Sequence, residues 1–130
     1  MRTVKFYRPP GEEAPLARFL SSLDHKLQKK LHRQLFILAR SSPNDLKEPH
    51  YKHFVLEKYS QFYELREKNK ILVRIIFVIC DEEIFLLTPF IKRQPRDTMR
   101  ALDASLRMLA EIREHPNYAV NMDLVEEETV

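Results

Sequence analysis

The sequence predicts an α+β fold: an N-terminal strand and a helical hairpin packed on a small, mostly antiparallel sheet, closed by a C-terminal helix. Three observations carry this reading. Leucines recur at helical spacing through the first third of the chain, β-branched and aromatic residues fill the middle with only short polar breaks, and helical spacing returns after Pro95. Short connections between strands imply antiparallel hairpins, because parallel neighbours need a long crossover.

Residues 3–8 alternate as a short strand, which Pro9-Pro10-Gly11 stops. Leu16, Phe19, Leu20 and Leu23 form one helical stripe. Leu27, Leu31, Leu35 and Leu38 form a second in a longer helix near 24–41, with Ser21-Ser22-Leu23-Asp24 as break and cap. Lys26, Lys29, Lys30, Arg33 and Arg40 lie mostly off that stripe and read as a solvated basic face. After a polar connection with Pro43 and Pro49, strands are expected at 53–58, 61–67, 71–80 and 83–90. Pro95 then opens a helix whose apolar face is Met99, Leu102, Leu106, Leu109 and Ile112, ending near His115-Pro116. One sheet face must cover the leucine stripes of the hairpin, which leaves the opposite face for function.

At 130 residues, 44% hydrophobic and 32% charged, the chain has the composition of one globular domain that buries a core without a disulfide or metal. That domain is read over residues 1–116, with an acidic, frayed or disordered tail over 117–130. Cys80 is alone, as fits a reducing compartment. The longest apolar run, residues 75–80, is far too short to span a bilayer, and the first residues carry no apolar secretory stretch, so a cytoplasmic protein without a membrane partner is expected. A single glycine, Gly11, excludes loops that cradle phosphates with repeated glycines, and no small-molecule cofactor is expected. Net charge is +3, yet Asp123, Glu126, Glu127 and Glu128 gather acid in the tail, so the body is the more basic part. Such a body is the electrostatic footprint of a protein that meets a polyanion.

Period two through residues 61–67 puts Tyr63 and Leu65 on one face and Phe62, Glu64 and Arg66 on the other. Arg74 interrupts an apolar strand, where an arginine is costly unless it is paired or exposed on a concave surface. A structural pair with Glu64 or Asp81 is one reading of it, and phosphate binding is the other. Lys92 and Arg93 stand where the last strand leaves the sheet; taken alone they are a solvated turn. Together, three neighbouring segments each deliver a cation near one sheet surface, the arrangement a phosphate site needs. His50 and His53 lack any partner at zinc spacing and Cys80 lacks a second cysteine, so no metal site is expected. His25 and His32 read as solvated helix residues, and His115 as a cation at a helix end.

Phe62-Tyr63-Glu64-Leu65-Arg66, Arg74-Ile75-Ile76-Phe77 and Leu86-Leu87-Thr88-Pro89-Phe90-Ile91-Lys92-Arg93, followed by an alanine-bearing helix, resemble the RelE/HigB superfamily. More narrowly they are similar to its phage-derived HigB-like branch, whose pattern runs Tyr-Glu-Leu-Arg, Arg-x-x-Tyr, Leu-Leu-x-x-Phe-x-Lys-Lys. The resemblance covers about residues 52–114. It implies a RelE-like fold and a toxin of a type II toxin-antitoxin system, which cleaves mRNA, typically on the ribosome, and is neutralised by a helix-turn-helix antitoxin. By motif match Arg66, Arg74, Lys92 and Arg93 bind the phosphate and the charge of the transition state. Glu64 acts as base or only orients an arginine, and His53 is a weaker acid-base candidate. Lys52, His53 and Lys58 are expected to contact RNA. Phe77 stands where a tyrosine is common, Pro95 follows the basic pair early, and the last helix has no tyrosine before Tyr118. The alternative is a noncatalytic module that binds RNA, the ribosome or a partner protein through the same basic face.

Overall fold

A computed structural model describes residues 1–124. Strand β1 (Thr3–Tyr7) leads through a proline turn into α1 (Pro15–Ser21) and α2 (His25–Arg40). Asp24 caps α2 by accepting the Leu27 N–H at 2.8 Å, so the break between the stripes is where the sequence puts it. Then follow β2 (Tyr51–His53), β3 (Phe62–Asn69), β4 (Ile71–Cys80), β5 (Glu83–Ile91), α3 (Pro95–Glu114) and β6 (Ala119–Asn121). Among the described residues the sheet has six strands in the order β2-β3-β4-β5-β1-β6, antiparallel throughout except for β1 against β5. The α+β architecture and mostly antiparallel sheet are those the sequence predicts.

Two cores sandwich this sheet. On one face Leu65, Val73, Ile75, Phe77, Ile84 and Leu86 bury against the leucine stripes of α1 and α2. On the other, Phe62, Ile76, Val78, Phe85 and Leu87 bury against Ala101, Leu102, Leu109 and Ile112 of α3. The second face, which the sequence reading leaves free for function, is therefore largely covered by α3. An amphipathic helix of 20 residues must bury its apolar stripe, and only that face remained for it.

Lys70 and Asp81, both at positive φ (68° and 54°), close the β3–β4 and β4–β5 hairpins. The β4–β5 ladder shifts between Ile75 and Phe77, where β5 carries one extra residue. Pro89, which has no N–H to donate, sits beside that irregularity. Asp97 accepts the backbone N–H groups of Arg93 and Gln94 at 2.8 and 2.9 Å, which fixes the turn from β5 into α3. Among the described residues no helix is long and apolar enough to cross a membrane.

Two expectations are corrected. The strand expected at 53–58 is only Tyr51–His53, displaced toward the N-terminus. Phe54 and Tyr59 both bury under α3, and the Tyr59 hydroxyl donates to Asp103 at 2.6 Å, so the chain bends into a 3-10 turn at Glu57–Tyr59 instead of running straight. The segment from 117 is also not frayed along its described length. A 3-10 turn at Pro116–Tyr118 reverses the chain, β6 pairs with β1, and Met122 and Leu124 pack on the core beside α2. The remainder of the expected tail, 125–130, lies outside the described residues.

Removing residues 116–130 should strip the edge of β1 and lower the thermal midpoint by about 5 °C or more, on the scale of one or two kcal/mol for a domain of this size. Calorimetry checks this; an unchanged midpoint would mean that β6 contributes nothing.

Candidate functional site

Arg66 lies directly opposite Arg74 across β3 and β4, and Phe90 lies opposite Arg74 across β4 and β5. Residues directly opposite share a sheet face. Glu64, two positions back on β3, shares that face and lies opposite Lys52 of β2. This is the α3 side of the sheet, because Phe62 and Ile76 on the same alternation belong to the core under α3.

Glu64 is 1% exposed. Its Oε1 accepts a hydrogen bond from Arg66 Nε at 2.9 Å and lies 3.5 Å from Arg74 Nε. Arg74 also donates from Nη1 to the Val73 carbonyl at 3.1 Å, and Arg66 Nη1 lies 3.5 Å from the exposed Glu48 carboxylate. Of the partners open to Arg74, Glu64 is therefore the one used. Asp81 instead sits in the β4–β5 hairpin, where its carbonyl accepts from Arg2. Burial lowers the Arg74 pKa from its ordinary value; the Glu64 carboxylate opposes that fall and neighbouring Arg66 adds to it. A guanidinium stays charged through such a shift.

The balance of charge is uneven. Two guanidiniums face each other on adjacent strands, an unfavourable pairing of like charges; a single buried carboxylate serves both, and the exposed Glu48 reaches Arg66 alone. The Arg66 and Arg74 side chains stay 21% and 11% exposed. Glu64 Oε2 and Arg74 Nε are buried without a hydrogen-bond partner among the described residues. The result is a partly exposed arginine surface anchored from below by Glu64.

The other expected site residues divide between those that join this surface and those that do not. Lys92 donates its backbone N–H to the Leu72 carbonyl at 2.8 Å, which continues the β4–β5 ladder and keeps Lys92 on the same face. Arg93 is exposed in the turn held by Asp97. Lys52 joins through its register with Glu64, its ammonium 5.4 Å from the Phe54 ring centroid. Lys58 is held away, ion-paired with Asp103 of α3 at 3.7 Å. His53 is on the opposite face, stacked on Tyr63 at 4.4 Å with Nε2 2.6 Å from the Ser60 carbonyl.

Two residues near the cluster escape the sequence reading. The Arg66 N–H donates to the His50 carbonyl at 2.7 Å, which anchors His50 beside Arg66. Lys68 follows Arg66 by two on β3, on the same face. Both would have emerged from the correct register of β2 and from carrying the alternation of β3 one step further. Among the described residues no group of three or more His, Cys, Asp or Glu side chains is placed to hold a metal ion.

The fold and this cluster define the class: a small RelE-like α+β protein carrying arginines on its sheet. A family model described as Phage derived protein Gp49-like matches residues 18–108. The chain belongs to that family, within the toxin-antitoxin-related RelE/HigB-like group. No curated protein and no solved structure matches it. The matched span contains Glu64, Arg66, Arg74 and Lys92.

Replacing Glu64 by alanine leaves two arginines without their shared partner and should cost about 3–5 kcal/mol of stability, the range for breaking a buried ion pair from one side. Glu64→Gln should cost less, since it keeps an acceptor for Arg66 Nε. Urea denaturation measures both; a Glu64→Ala protein as stable as the parent would contradict the shared-carboxylate geometry.

Proposed function

We propose that this chain is an mRNA-cleaving endoribonuclease toxin of a type II toxin-antitoxin system, of the HigB-like kind, acting on translating ribosomes and held in check by a helix-turn-helix antitoxin. The observation that carries the reading is the opposed Arg66–Arg74 pair with its one buried carboxylate. A phosphodiester adds negative charge where the two guanidiniums stay partly exposed, with only the solvated Glu48 to displace from Arg66, and charge-assisted hydrogen bonds from arginine suit its oxygens. Membership in a toxin-antitoxin-related group supports the toxin role and the antitoxin partner.

The reaction is a transesterification within RNA. The ribose 2′-oxygen attacks the adjacent phosphorus and gives its proton to a base. The bond from phosphorus to the 5′-oxygen breaks, and that oxygen takes up a proton, leaving a 2′,3′-cyclic phosphate and a free 5′-hydroxyl. Negative charge grows on the nonbridging oxygens at the midpoint, where Arg66 and Arg74 stabilise it. Lys92, Arg93 and Lys52 bind neighbouring phosphates. The chemistry requires no metal or cofactor.

Glu64 is assigned to positioning and not to proton transfer. Oε1 is engaged by the arginines and Oε2 has essentially no exposed surface, so neither oxygen reaches a ribose hydroxyl. His50, anchored beside Arg66, is the proton acceptor in this scheme. His53 has no part in it, being on the far face.

A second reading, a noncatalytic RNA- or ribosome-binding module, draws support from the same burial of Glu64, because the carboxylate that the two arginines share then cannot reach a substrate proton. The two separate on His50. In the enzyme, Arg66→Ala should lower cleavage of mRNA on programmed ribosomes by about 10²-fold or more, and His50→Ala should abolish most cleavage while RNA binding persists. If the folded parent binds RNA without cutting it, the binding module is correct; if both variants cut as the parent does, the active surface is elsewhere.

A further inference from the structure

The α3-side face of β3 carries an ordered series of cations. In the first cross-strand row, Lys52 stands opposite Glu64. In the second, Arg66 stands opposite Arg74. In the third, Lys68 stands opposite Leu72, whose carbonyl in turn accepts the Lys92 N–H, so Lys68 and Lys92 flank one leucine. Strand alternation sends Glu67 and Asn69 to the other face, so past Glu64 no carboxylate of β3 intrudes on the series.

We infer that these rows form a three-rung ladder in which Lys52, the Arg66–Arg74 pair and the Lys68–Lys92 pair take three successive phosphates of one extended RNA strand, which makes Lys68 a binding residue of the site. The inference rests on the RNA reading above and extends it by giving the strand a path along β3.

Spacing is the first support. Rows two residues apart on a strand are separated by about 6.6–6.8 Å, an interval that suits successive phosphates of an extended single strand. Availability is the second. Among the described residues neither the Lys68 nor the Lys92 ammonium has a carboxylate partner, whereas Lys5 pairs with Glu83 and Lys58 with Asp103. The third is the charge that gathers at the end of the ladder. Lys70 follows at the exposed hairpin tip, at φ 68°, a conformation that glycine or asparagine adopts with less strain.

One consequence concerns specificity. Phosphates seated on the sheet turn the bases away from it, so this ladder grips the backbone and reads no sequence. Choice of cleavage position then comes from how the strand is presented and not from these five cations.

The test uses the whole protein and a short single-stranded RNA fully 2′-O-methylated so that it cannot be cut. Its affinity is measured against salt for the parent, Lys68→Ala, Lys68→Arg, Arg66→Ala and Lys26→Ala, the last a control on α2. Lys68→Ala should flatten the salt dependence by about 0.7 in log–log slope, the loss of one phosphate contact on a single strand. Lys68→Arg should restore it and Lys26→Ala should leave it unchanged. Neutral methylphosphonate linkages placed singly along the RNA should include one position that erases the difference between the parent and Lys68→Ala while the effect of Arg66→Ala persists. A parental slope in Lys68→Ala together with a flattened one in Arg66→Ala overturns the ladder and leaves the RNA reading standing. Absence of salt-dependent binding by the parent overturns both.

Discussion

One carboxylate, that of Glu64, holds the functional surface together. A pair of unit charges at about 4 Å is worth about 4 kcal/mol at an effective dielectric of 20, so two arginines forced opposite one another repel by an amount that matters to a small domain. Glu64 Oε1 meets Arg66 Nε at 2.9 Å and lies 3.5 Å from Arg74 Nε, offsetting that repulsion from beneath. Desolvating the three groups costs several kcal/mol per ion. The cluster is thus an expensive way to fill a sheet face, and an apolar trio would serve stability as well. What it provides instead is a pair of guanidiniums held in place from beneath and still partly exposed.

The hydrophobic pattern on the opposite face keeps those groups where they are. Leu65, Val73 and Ile75 are fully buried against the α1–α2 hairpin. A slip of one residue in β3 or β4 would push them to the other side and carry Arg66 or Arg74 into the apolar core. The leucine stripe of α2, remote from any chemistry, therefore sets the register on which the arginine pair depends. α3 completes the enclosure, covering the apolar part of the functional face and leaving the basic end partly exposed.

Much of this is legible in the residues themselves. Period two places Glu64 and Arg66 on one face, the mid-strand Arg74 asks for a partner and finds Glu64, and Lys92 emerges from β5 beside them. The motif order brings the chain to the group in which the family match also places it. What sequence could not supply was the path of residues 50–60. Phe54-Val55-Leu56 has the composition of a strand, but Phe54 and Tyr59 are drawn under α3 and the chain bends between them. That tertiary demand moves β2 toward the N-terminus, turns His53 to the far face, seats the expected Lys52 opposite Glu64 and brings His50 beside Arg66. β6 is hidden for a different reason: three residues that pair with β1 carry too little periodicity to stand out from a polar tail.

The most direct test of the arginine pair is an NMR titration that follows the Nε–Hε resonances of Arg66 and Arg74 as uncleavable single-stranded RNA is added. A phosphate held between them requires both resonances to move together and saturate at one RNA concentration. Movement confined to Arg33 and Arg40 of α2, with Arg66 and Arg74 still, would contradict it and transfer the binding surface to the other side of the sheet.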